Sequence, residues 1–334
     1  MSELRQDPTT YDWVIIARER ARRPHEFKKE RPDRPEPVWS GTCPFCPGNE
    51  RMTPEVLARY PEEGDWVLKI VPNKYPALTP DGSTAREERK LFRKTHGYGR
   101  HEVLIETPVH NEYIPFMSAP HVESLIRAYR DRYNELKKDP LIKEIIIFKN
   151  HGAGAGTSLQ HPHSQIVASP IVPPYIRRKY EVTIQYFDNT GRCLHLDLLA
   201  DELDEKTRVV SESVHFVSLH PFASHYPFET WIMPRVLKSS FGNISEEEIK
   251  DLAAVLKDVL ARIYHGLGNP DYNLIIDTTP VEDEEQSYYL WHIQIIPRLI
   301  QPAGFELGSG IYINVALPEE TAAFMRELKV EELA

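Results

Sequence analysis

The sequence contains two similar halves, and this repeat limits the possible folds more than any other feature. Each half has an apolar strand pattern, then a helix pattern with one apolar face, then further strand patterns. The matched positions are Ile105 and Ile232, Ser118 and Ser245, His163 and His292, and Gln165 and Gln294, at separations of 127, 127, 129 and 129 residues. Because chance similarity would not keep one register over three elements, the repeat indicates a duplication.

The predicted elements follow the same order in both halves. The first half has strand patterns at residues 102–108, 145–148 and 166–168, with a helix that begins near Ser118. The second half has strand patterns at 228–234, 273–276 and 291–296, with a capping-box match, Ser245-Glu-Glu-Glu248, at its helix start. We therefore expect an α+β fold of duplicated half-domains with antiparallel sheets and packed helices, divided into residues 1–185 and 186–334.

The two halves differ at positions that matter for chemistry. The first half has a glycine-rich loop at residues 152–156 that the second half lacks. Leu290 stands in the second half where the first half has His161. We therefore expect the first half to be catalytic and the second half to be a degenerate copy.

Composition and charge exclude several classes of function. Hydrophobic residues make up 41% of the 334 residues, enough for a sizeable core, and no run approaches the roughly 18 apolar residues of a membrane helix. The N-terminus has no apolar signal core, so we expect a cytoplasmic enzyme. The net charge of −10 argues against general binding of nucleic acid. A basic segment from Arg18 to Arg34 is either a solvated face or a place where an anionic small molecule is held.

The run His161-Pro-His163-Ser-Gln165 is the strongest candidate for catalysis. Alternate side chains of a strand share a face, so His161, His163 and Gln165 can point the same way. An imidazole is unprotonated near neutral pH and can attack phosphorus, which divides one difficult displacement into two easier steps. Ser164 and Gln165 would add side-chain donors. The alternative is two histidines with a structural role in a core strand, but the glycine loop and the glutamine favour catalysis.

The loop before this run is a candidate phosphate site. Gly152, Gly154 and Gly156 permit close approach of the backbone, and we expect their amides to face phosphate. Thr157 and Ser158 continue the loop and are also predicted substrate contacts.

The cysteines indicate metal or redox chemistry rather than disulfide bonds. Cys43 and Cys46 have the spacing of zinc ligands, and Cys193 is the third cysteine. A redox pair and two buried thiols are the alternatives. Because no second cysteine pair completes a four-cysteine site, histidines would have to supply the remaining ligands.

The histidine run resembles the active-site signature of the galactose-1-phosphate uridylyltransferase family, a transferase branch of the histidine-triad superfamily. The resemblance covers nearly the whole chain. Its further segments are Arg20-Ala-Arg-Arg-Pro24, Cys43-Pro-Phe-Cys-Pro-Gly48, Pro72-Asn-Lys-Tyr-Pro76, Pro108-Val-His110, Asn150-His-Gly152, Tyr226-Pro-Phe-Glu229 and Gly304-Phe-Glu306.

The resemblance implies a two-step transfer. His163 would attack the α-phosphorus of UDP-glucose, release glucose 1-phosphate and keep a covalent uridylyl group. Galactose 1-phosphate would then accept that group and leave as UDP-galactose. Gln165 stands where hydrolytic relatives have a third histidine, and its hydrogen bond to the phosphoryl group favours transfer over hydrolysis.

The resemblance also implies the substrate contacts. Asn73 and Asn150 match nucleotide contacts, and the phosphate contacts match Arg20 and Arg23. The segment at Phe305 and Glu306 matches a sugar contact that reaches the active site of the partner subunit, which implies a homodimer with shared active sites.

One structural Zn²⁺ site, which iron can also occupy, follows from the same resemblance. Its ligands would be Cys43, Cys46, His110 and His161.

Some relatives have a second metal site in the C-terminal half, and we expect none in this chain. Cys193 lacks a cysteine partner because Leu196 stands in that place, and Gln294 follows His292 where the other type of site needs a histidine. Glu181 and His292 are the candidate remnants of such a site.

Two other functions stay open at this point. Residues 304–314 resemble the plant ADP-glucose phosphorylase branch at least as much as the uridylyltransferases, so adenylyl transfer, as in ADP-glucose phosphorylase or dinucleoside polyphosphate phosphorylase, is the nearest rival. The proline of the histidine run weakly favours uridylyl transfer. A zinc-stabilised nucleotide-binding module without turnover is the other alternative, which the intact His163 and Gln165 oppose.

Overall fold

The computed structural model describes residues 1–18, 23–28 and 36–329. The strands in these ranges are β1 (Glu3–Gln6), β2 (Trp13–Ile16), β3 (Ala58–Tyr60), β4 (Leu68–Pro72), β5 (Glu87–Arg89), β6 (Phe92–Lys94), β7 (Arg100–Ile105), β8 (Glu144–His151), β9 (His163–Ser169), β10 (Val209–Glu212), β11 (Phe216–Leu219), β12 (Thr230–Pro234), β13 (Tyr272–Asp277), β14 (His292–Pro297) and β15 (Tyr312–Asn314). The α-helices are α1 (Ala119–Leu136), α2 (Pro174–Thr190), α3 (Leu194–Glu205), α4 (Glu246–Leu267), α5 (Gly304–Ser309) and α6 (Pro318–Glu327).

One large antiparallel sheet joins the two halves of the chain. Within the described ranges it has ten strands in the order β10-β11-β12-β14-β13-β8-β9-β7-β4-β3. The halves meet where β8 pairs with β13, from Ile147 opposite Ile276 to His151 opposite Tyr272. Five strands lie on each side of this seam in matching order, so the duplication is a pseudo-twofold symmetry of one sheet. The predicted α+β class, with antiparallel sheets and packed helices, is confirmed.

Helices α1 and α4 pack side by side on one face of the sheet. Both helices bury an apolar stripe, because their apolar residues recur at helical spacing. The predicted capping box of α4 is present: the Ser245 side chain accepts from the Glu248 backbone N–H, and the Glu248 carboxylate accepts from the Ser245 N–H at 2.7 Å. Ile166 and Ala168 of β9 contribute to the core under these helices.

The opposite face of the sheet carries the candidate chemistry. At one end, Val103 and Ile105 of β7 pack against a segment that contains Cys43 and Cys46. At the other end, β11 and β12 pack against Cys193 and helix α3. The two ends correspond to the N-terminal and C-terminal halves of the repeat.

Two predicted strands are shorter than their patterns suggested. Strand β7 ends at Ile105 rather than at Pro108, where the chain turns. Strand β12 begins at Thr230, because Phe228 has a φ of 62°, a left-handed conformation that interrupts a strand. In the described part of the chain, no helix combines the length and apolar character needed to cross a membrane.

Candidate active site

His163 is the first residue of β9, and its ring is held in one tautomer. The ring nitrogen Nδ1 lies 2.8 Å from the backbone oxygen of His161, which can only accept, so Nδ1 carries the hydrogen. The other nitrogen, Nε2, is therefore the unprotonated one in the neutral ring. Burial lowers the pKa of His163, and the nearby Lys149 ammonium lowers it further. The neutral ring with a lone pair on Nε2 is the form that attacks phosphorus.

Gln165 shares the face of β9 with His163 and is bonded to a histidine that the sequence reasoning missed. The amide oxygen Oε1 of Gln165 lies 2.7 Å from Nε2 of His101, on the neighbouring strand β7. The amide nitrogen of Asn73, a predicted nucleotide contact, lies 3.1 Å from the same ring nitrogen. His101 lies two residues before Val103 on the same face of β7, but only the strand register shows that it reaches Gln165.

The Ser164 side chain lies on the other face of β9, away from His163. Its hydroxyl lies 2.6 Å from the Tyr129 hydroxyl and donates to the Glu106 carboxylate. Glu106 also forms a buried ion pair with Lys149 at 2.6 Å. The prediction of Ser164 as a side-chain donor to phosphate is therefore corrected, since alternation along the strand directs it into the core under α1. Its place is in a buried network that supports β9.

The glycine loop follows β8 and contacts a carboxylate. The amide of Gly154 donates to Asp271 Oδ2 at 2.6 Å, so this amide is not directed at a phosphate as predicted. Gly152 and Gly156 have φ values of +83° and +92°. A Cβ on Gly152 would overlap the Asp271 carboxylate, which explains the need for glycine there. The Thr157 hydroxyl donates to the backbone oxygen of Leu159 at 2.9 Å, within the loop itself.

The other predicted contacts lie at different places. Asn150, at the end of β8, shares the His163 face and accepts a hydrogen bond from Asn273 Nδ2 at 2.8 Å. Ser158 and Arg23 are exposed. Arg20 lies outside the described residues. In α5, Phe305 is half exposed and the Glu306 carboxylate accepts from the Ala303 N–H at 2.9 Å.

A cavity of about 590 Å³ lies over the second-half counterpart of the histidine run. His292, Gln294 and the end of α5 at Ser309 are among its lining residues. Two strands separate β14 from β9, so His292 and His163 are at least about 14 Å apart at a strand spacing of about 4.8 Å. Within one chain, α5 therefore lies beside His292 and Gln294 in the second half, and not beside His163.

The two candidate remnants of a second metal site differ in burial. His292 is buried, with Nε2 3.2 Å from the Gln294 amide nitrogen, whereas Glu181 is exposed on α2. The prediction that the second half binds no metal stays a prediction.

Cys43, Cys46, His110 and His161 form a buried cluster suited to a metal ion. Their ligand atoms all lie within 4.8 Å of one another. Cys46 Sγ lies 3.3 Å from His110 Nδ1 and 3.6 Å from His161 Nδ1. Tetrahedral zinc, with bonds of about 2.3 Å to sulfur and 2.0 Å to nitrogen, would separate such atoms by about 3.5 Å. The residues therefore fit a four-coordinate ion.

A residue outside the cluster orients one of its two histidine rings. The backbone oxygen of Thr107 accepts from His161 Nε2 at 2.8 Å, which leaves the lone pair of Nδ1 directed at the cysteines. Burial lowers the pKa of His161 to about 4, so the ring is neutral, as a metal ligand must be. Phe45, between the two cysteines, packs edge-on against the His163 ring with centroids 5.3 Å apart. The cluster therefore supports one side of the candidate nucleophile.

Comparison with known proteins identifies the family. Residues 1–173 match the profile of the N-terminal domain of galactose-1-phosphate uridyl transferase, and residues 179–327 match that of its C-terminal domain. The chain is 39% identical to ADP-glucose phosphorylase of Arabidopsis thaliana over 98% of this chain and 93% of that protein. It is 33% identical to galactose-1-phosphate uridylyltransferase of Thermotoga maritima over 99% of this chain and 100% of that protein.

Solved structures agree with this assignment. The crystal structure of the Arabidopsis thaliana ADP-glucose phosphorylase with bound ADP-glucose superposes with a TM-score of 0.85, at 37% identity and with coverage of 98% and 99% of the two chains. A uridylyltransferase structure superposes with a TM-score of 0.76, at 26% identity and with coverage of 100% and 99%. The chain belongs to the galactose-1-phosphate uridyl transferase family of nucleotidyltransferases.

Proposed function

We propose that the protein transfers a nucleoside monophosphate through His163. The observation that carries this proposal is the hydrogen bond from His163 Nδ1 to the His161 backbone oxygen, which leaves Nε2 with a free lone pair. In the first step Nε2 attacks the α-phosphorus of a nucleotide sugar, the bond to the bridging oxygen breaks, and a sugar 1-phosphate leaves. In the second step a phosphate oxygen of the acceptor attacks the same phosphorus, and the phosphorus–nitrogen bond breaks.

ADP-glucose is the first donor that we propose, with phosphate as the acceptor. Two observations support this choice: the 39% identity to an ADP-glucose phosphorylase, and the resemblance of residues 304–314 to the plant ADP-glucose phosphorylase branch. UDP-glucose, with galactose 1-phosphate as the acceptor, is the second candidate, and the 33% identity to a uridylyltransferase supports it. The histidine chemistry is the same for both donors, and only the base and the acceptor differ.

The remaining site residues would bind and orient the donor. Gln165 would donate to a phosphoryl oxygen from its amide nitrogen, and Asn150 would contact the nucleotide beside His163. We propose the same nucleotide role for Asn73 and a phosphate role for Arg23. Phe305 and Glu306 would contact the sugar from a partner subunit in a homodimer, which a solution mass of two chains would support.

The first prediction concerns the covalent step. Protein mixed with ADP-glucose, UDP-glucose or ATP in separate reactions, quenched and weighed by intact-mass spectrometry, should gain one nucleoside monophosphate. The His163→Ala variant should gain none, because it lacks the attacking nitrogen. An AMP adduct would select the first donor and a UMP adduct the second. If no donor gives an adduct, covalent catalysis is excluded and a non-catalytic nucleotide-binding module becomes the better description.

We also propose that the cysteine–histidine cluster binds Zn²⁺, with Cys43, Cys46, His110 and His161 as ligands. With four protein ligands no position stays open for water, so the ion would stabilise the local structure rather than activate a nucleophile. Phe45 would connect this site to the nucleophile, because its ring packs edge-on against the His163 ring.

The second prediction concerns this metal. Cys43→Ser should reduce bound zinc or iron, measured by elemental analysis, and should lower the melting temperature, because metal binding contributes to the folding free energy. Adduct formation should slow as the support for His163 loosens. Cys193→Ser is the matched control, since Cys193 is also buried but lies in a different cluster. Pure protein without zinc or iron, or a Cys43→Ser variant with full metal content, would rule the site out.

A further inference from the structure

We infer that His101 is a positioning residue that determines which end of the Gln165 amide faces the phosphoryl group on His163. The inference rests on the proposed function, because it assigns a role within that same site. The geometry that supports it is a hydrogen-bond chain from the backbone at Ala77, through the His101 ring, to Gln165.

The backbone determines the tautomer of His101. The Ala77 N–H donates to His101 Nδ1 at 3.1 Å. A backbone N–H can only donate, so Nδ1 carries the lone pair and the hydrogen of the neutral ring lies on Nε2. The tautomer therefore depends on main-chain geometry and not on a bound ligand.

His101 Nε2–H in turn determines the orientation of the Gln165 amide. Its partner at 2.7 Å is the amide oxygen of Gln165, which accepts. The Asn73 amide nitrogen, 3.1 Å from the same ring nitrogen, forms no hydrogen bond with it in this tautomer, because both atoms are donors. The amide nitrogen of Gln165 is left without a hydrogen-bond partner among the described residues, so both of its hydrogens are available. Phosphoryl oxygens only accept, and a glutamine rotated by 180° would present its oxygen to them and repel them.

The segment that holds His101 is itself tied to β7. The Asn73 N–H donates to the His101 backbone oxygen at 2.8 Å, and the Tyr75 N–H donates to the Asn73 side-chain oxygen at 2.9 Å. Residues 73–77 therefore form a turn against the ring. The ring can keep its position before any donor binds.

The second half of the repeat shows the arrangement without this histidine. Strand pairing places Val103 opposite Gln165 and Trp231 opposite Gln294. The counterpart of His101, two residues before Val103, is therefore Glu229, whose carboxylate accepts from Trp231 Nε1 at 3.0 Å and has no N–H to donate. The amide nitrogen of Gln294 there lies 3.2 Å from His292 Nε2, the nitrogen that corresponds to the attacking one. His292 Nδ1 lies 3.2 Å from the Leu290 backbone oxygen, so Nε2 accepts. A glutamine that lacks the histidine therefore donates to the ring nitrogen that would otherwise attack.

The test compares His101→Phe, which removes the ring donor, with His101→Gln, which keeps an N–H donor at similar reach. Adduct formation is timed at saturating donor by quenched intact-mass spectrometry. We expect His101→Phe to slow the step about 10- to 100-fold, the usual range for an outer residue that orients a site, with little change in the half-saturating donor concentration. His101→Gln should recover part of the rate. Equal melting temperatures confirm that each variant is folded.

A double-mutant cycle separates positioning from a general structural role. In a Gln165→Ala background, His101→Phe should slow the step by less than about twofold, because its effect acts through Gln165. A full-rate His101→Phe variant, or an equal loss in both backgrounds, would overturn the inference. A wild-type protein that forms no adduct would instead refute the proposed function, and with it this role.

The histidine tautomer gives a readout that needs no turnover. In ¹⁵N-labelled protein the His101 signals, assigned by their loss in His101→Gln, should show the hydrogen on Nε2. A hydrogen on Nδ1 would contradict the hydrogen-bond chain even if the enzyme is active.

Discussion

Glu144 is a buried carboxyl at the start of β8 with an incomplete hydrogen-bond pattern. Its Oε2 atom has no hydrogen-bond partner among the described residues. Burial raises its pKa to about 8, and the negative charge of Asp277 raises it as well. The folded protein therefore keeps a proton on Glu144 at pH values where the unfolded chain has lost it.

The third prediction follows from this difference in proton binding. Between the unfolded pKa near 4.5 and the folded pKa near 8, the folded state binds the additional proton, so the free energy of unfolding should fall as pH rises. Glu144→Gln should remove this part of the slope, up to about 1.4 kcal/mol per pH unit, and should stabilise the protein at pH 8. Urea unfolding from pH 5 to 9 measures both effects.

The exposed Glu55 provides the control for this experiment. Glu55→Gln should leave the pH dependence of the wild type unchanged. If Glu144→Gln keeps the wild-type slope, Glu144 is already ionised in the folded protein at neutral pH.

The role of a residue could be predicted from the sequence where it depends on the spacing of a few neighbouring residues. The C-x-x-C pair and the two histidines of the run are examples, since a few neighbouring residues define each pattern. Glu106, Lys149 and His101 could not be found this way, because their contacts depend on which strands are neighbours. The error at Ser164 is of another kind, because the alternation that puts His163 and Gln165 on one face already puts Ser164 on the other.

At the scale of elements, the glycine loop after β8 depends on a residue from the other half. Asp271 precedes β13, and its carboxylate lies against Gly152 and Gly154. The loop conformation is therefore held by the second half of the chain, although its residues belong to the first.

The fourth prediction tests this contact with two glycine substitutions. Gly152→Ala combines an unfavourable positive φ with overlap of the Asp271 carboxylate, so it should destabilise the protein by about 2 kcal/mol or more and should slow adduct formation. Gly191→Ala has only the positive φ, because no atom lies within 4 Å of its added Cβ. The control should therefore lose about 1 kcal/mol and keep full activity. Equal losses in both variants would show that Asp271 does not restrict the loop.

Most helices and strands could be predicted from the sequence, but the residues at which they begin and end were predicted less well. The capping box at Ser245 and the apolar stripes of α1 and α4 depend on residues within a few turns of each other. The start of β12 could not be predicted, since the left-handed conformation of Phe228 has no signature in a bulky apolar residue.

At the scale of the whole molecule, the β8–β13 seam makes one sheet from two sequence repeats. Periodicity shows which residues share a face of a strand, but not which strand lies beside it. The similarity of the halves therefore predicted two related units. Only the structure shows that β8 and β13 join them into one sheet. Helices α1 and α4 also meet across the seam, where Arg130 of α1 bonds Glu246 of α4 at 2.8 Å.

The fifth prediction is that the predicted halves do not fold alone. Residues 1–185 would expose the edge of β8 and the apolar side of α1, and residues 186–334 would expose those of β13 and α4. Each fragment expressed separately should aggregate, whereas co-expression should recover a soluble complex that runs as one species in size-exclusion chromatography. A monomeric 1–185 fragment with cooperative thermal unfolding would contradict this and would make the boundary near residue 185 a true domain limit.

The contact of Asp271 with the glycine loop has a consequence for inherited variation in this protein. We expect damaging substitutions in both halves of the sequence, because Asp271 of the second half shapes a loop beside the nucleophile. A search for loss-of-function alleles confined to the neighbourhood of the histidine run would therefore miss substitutions at Asp271.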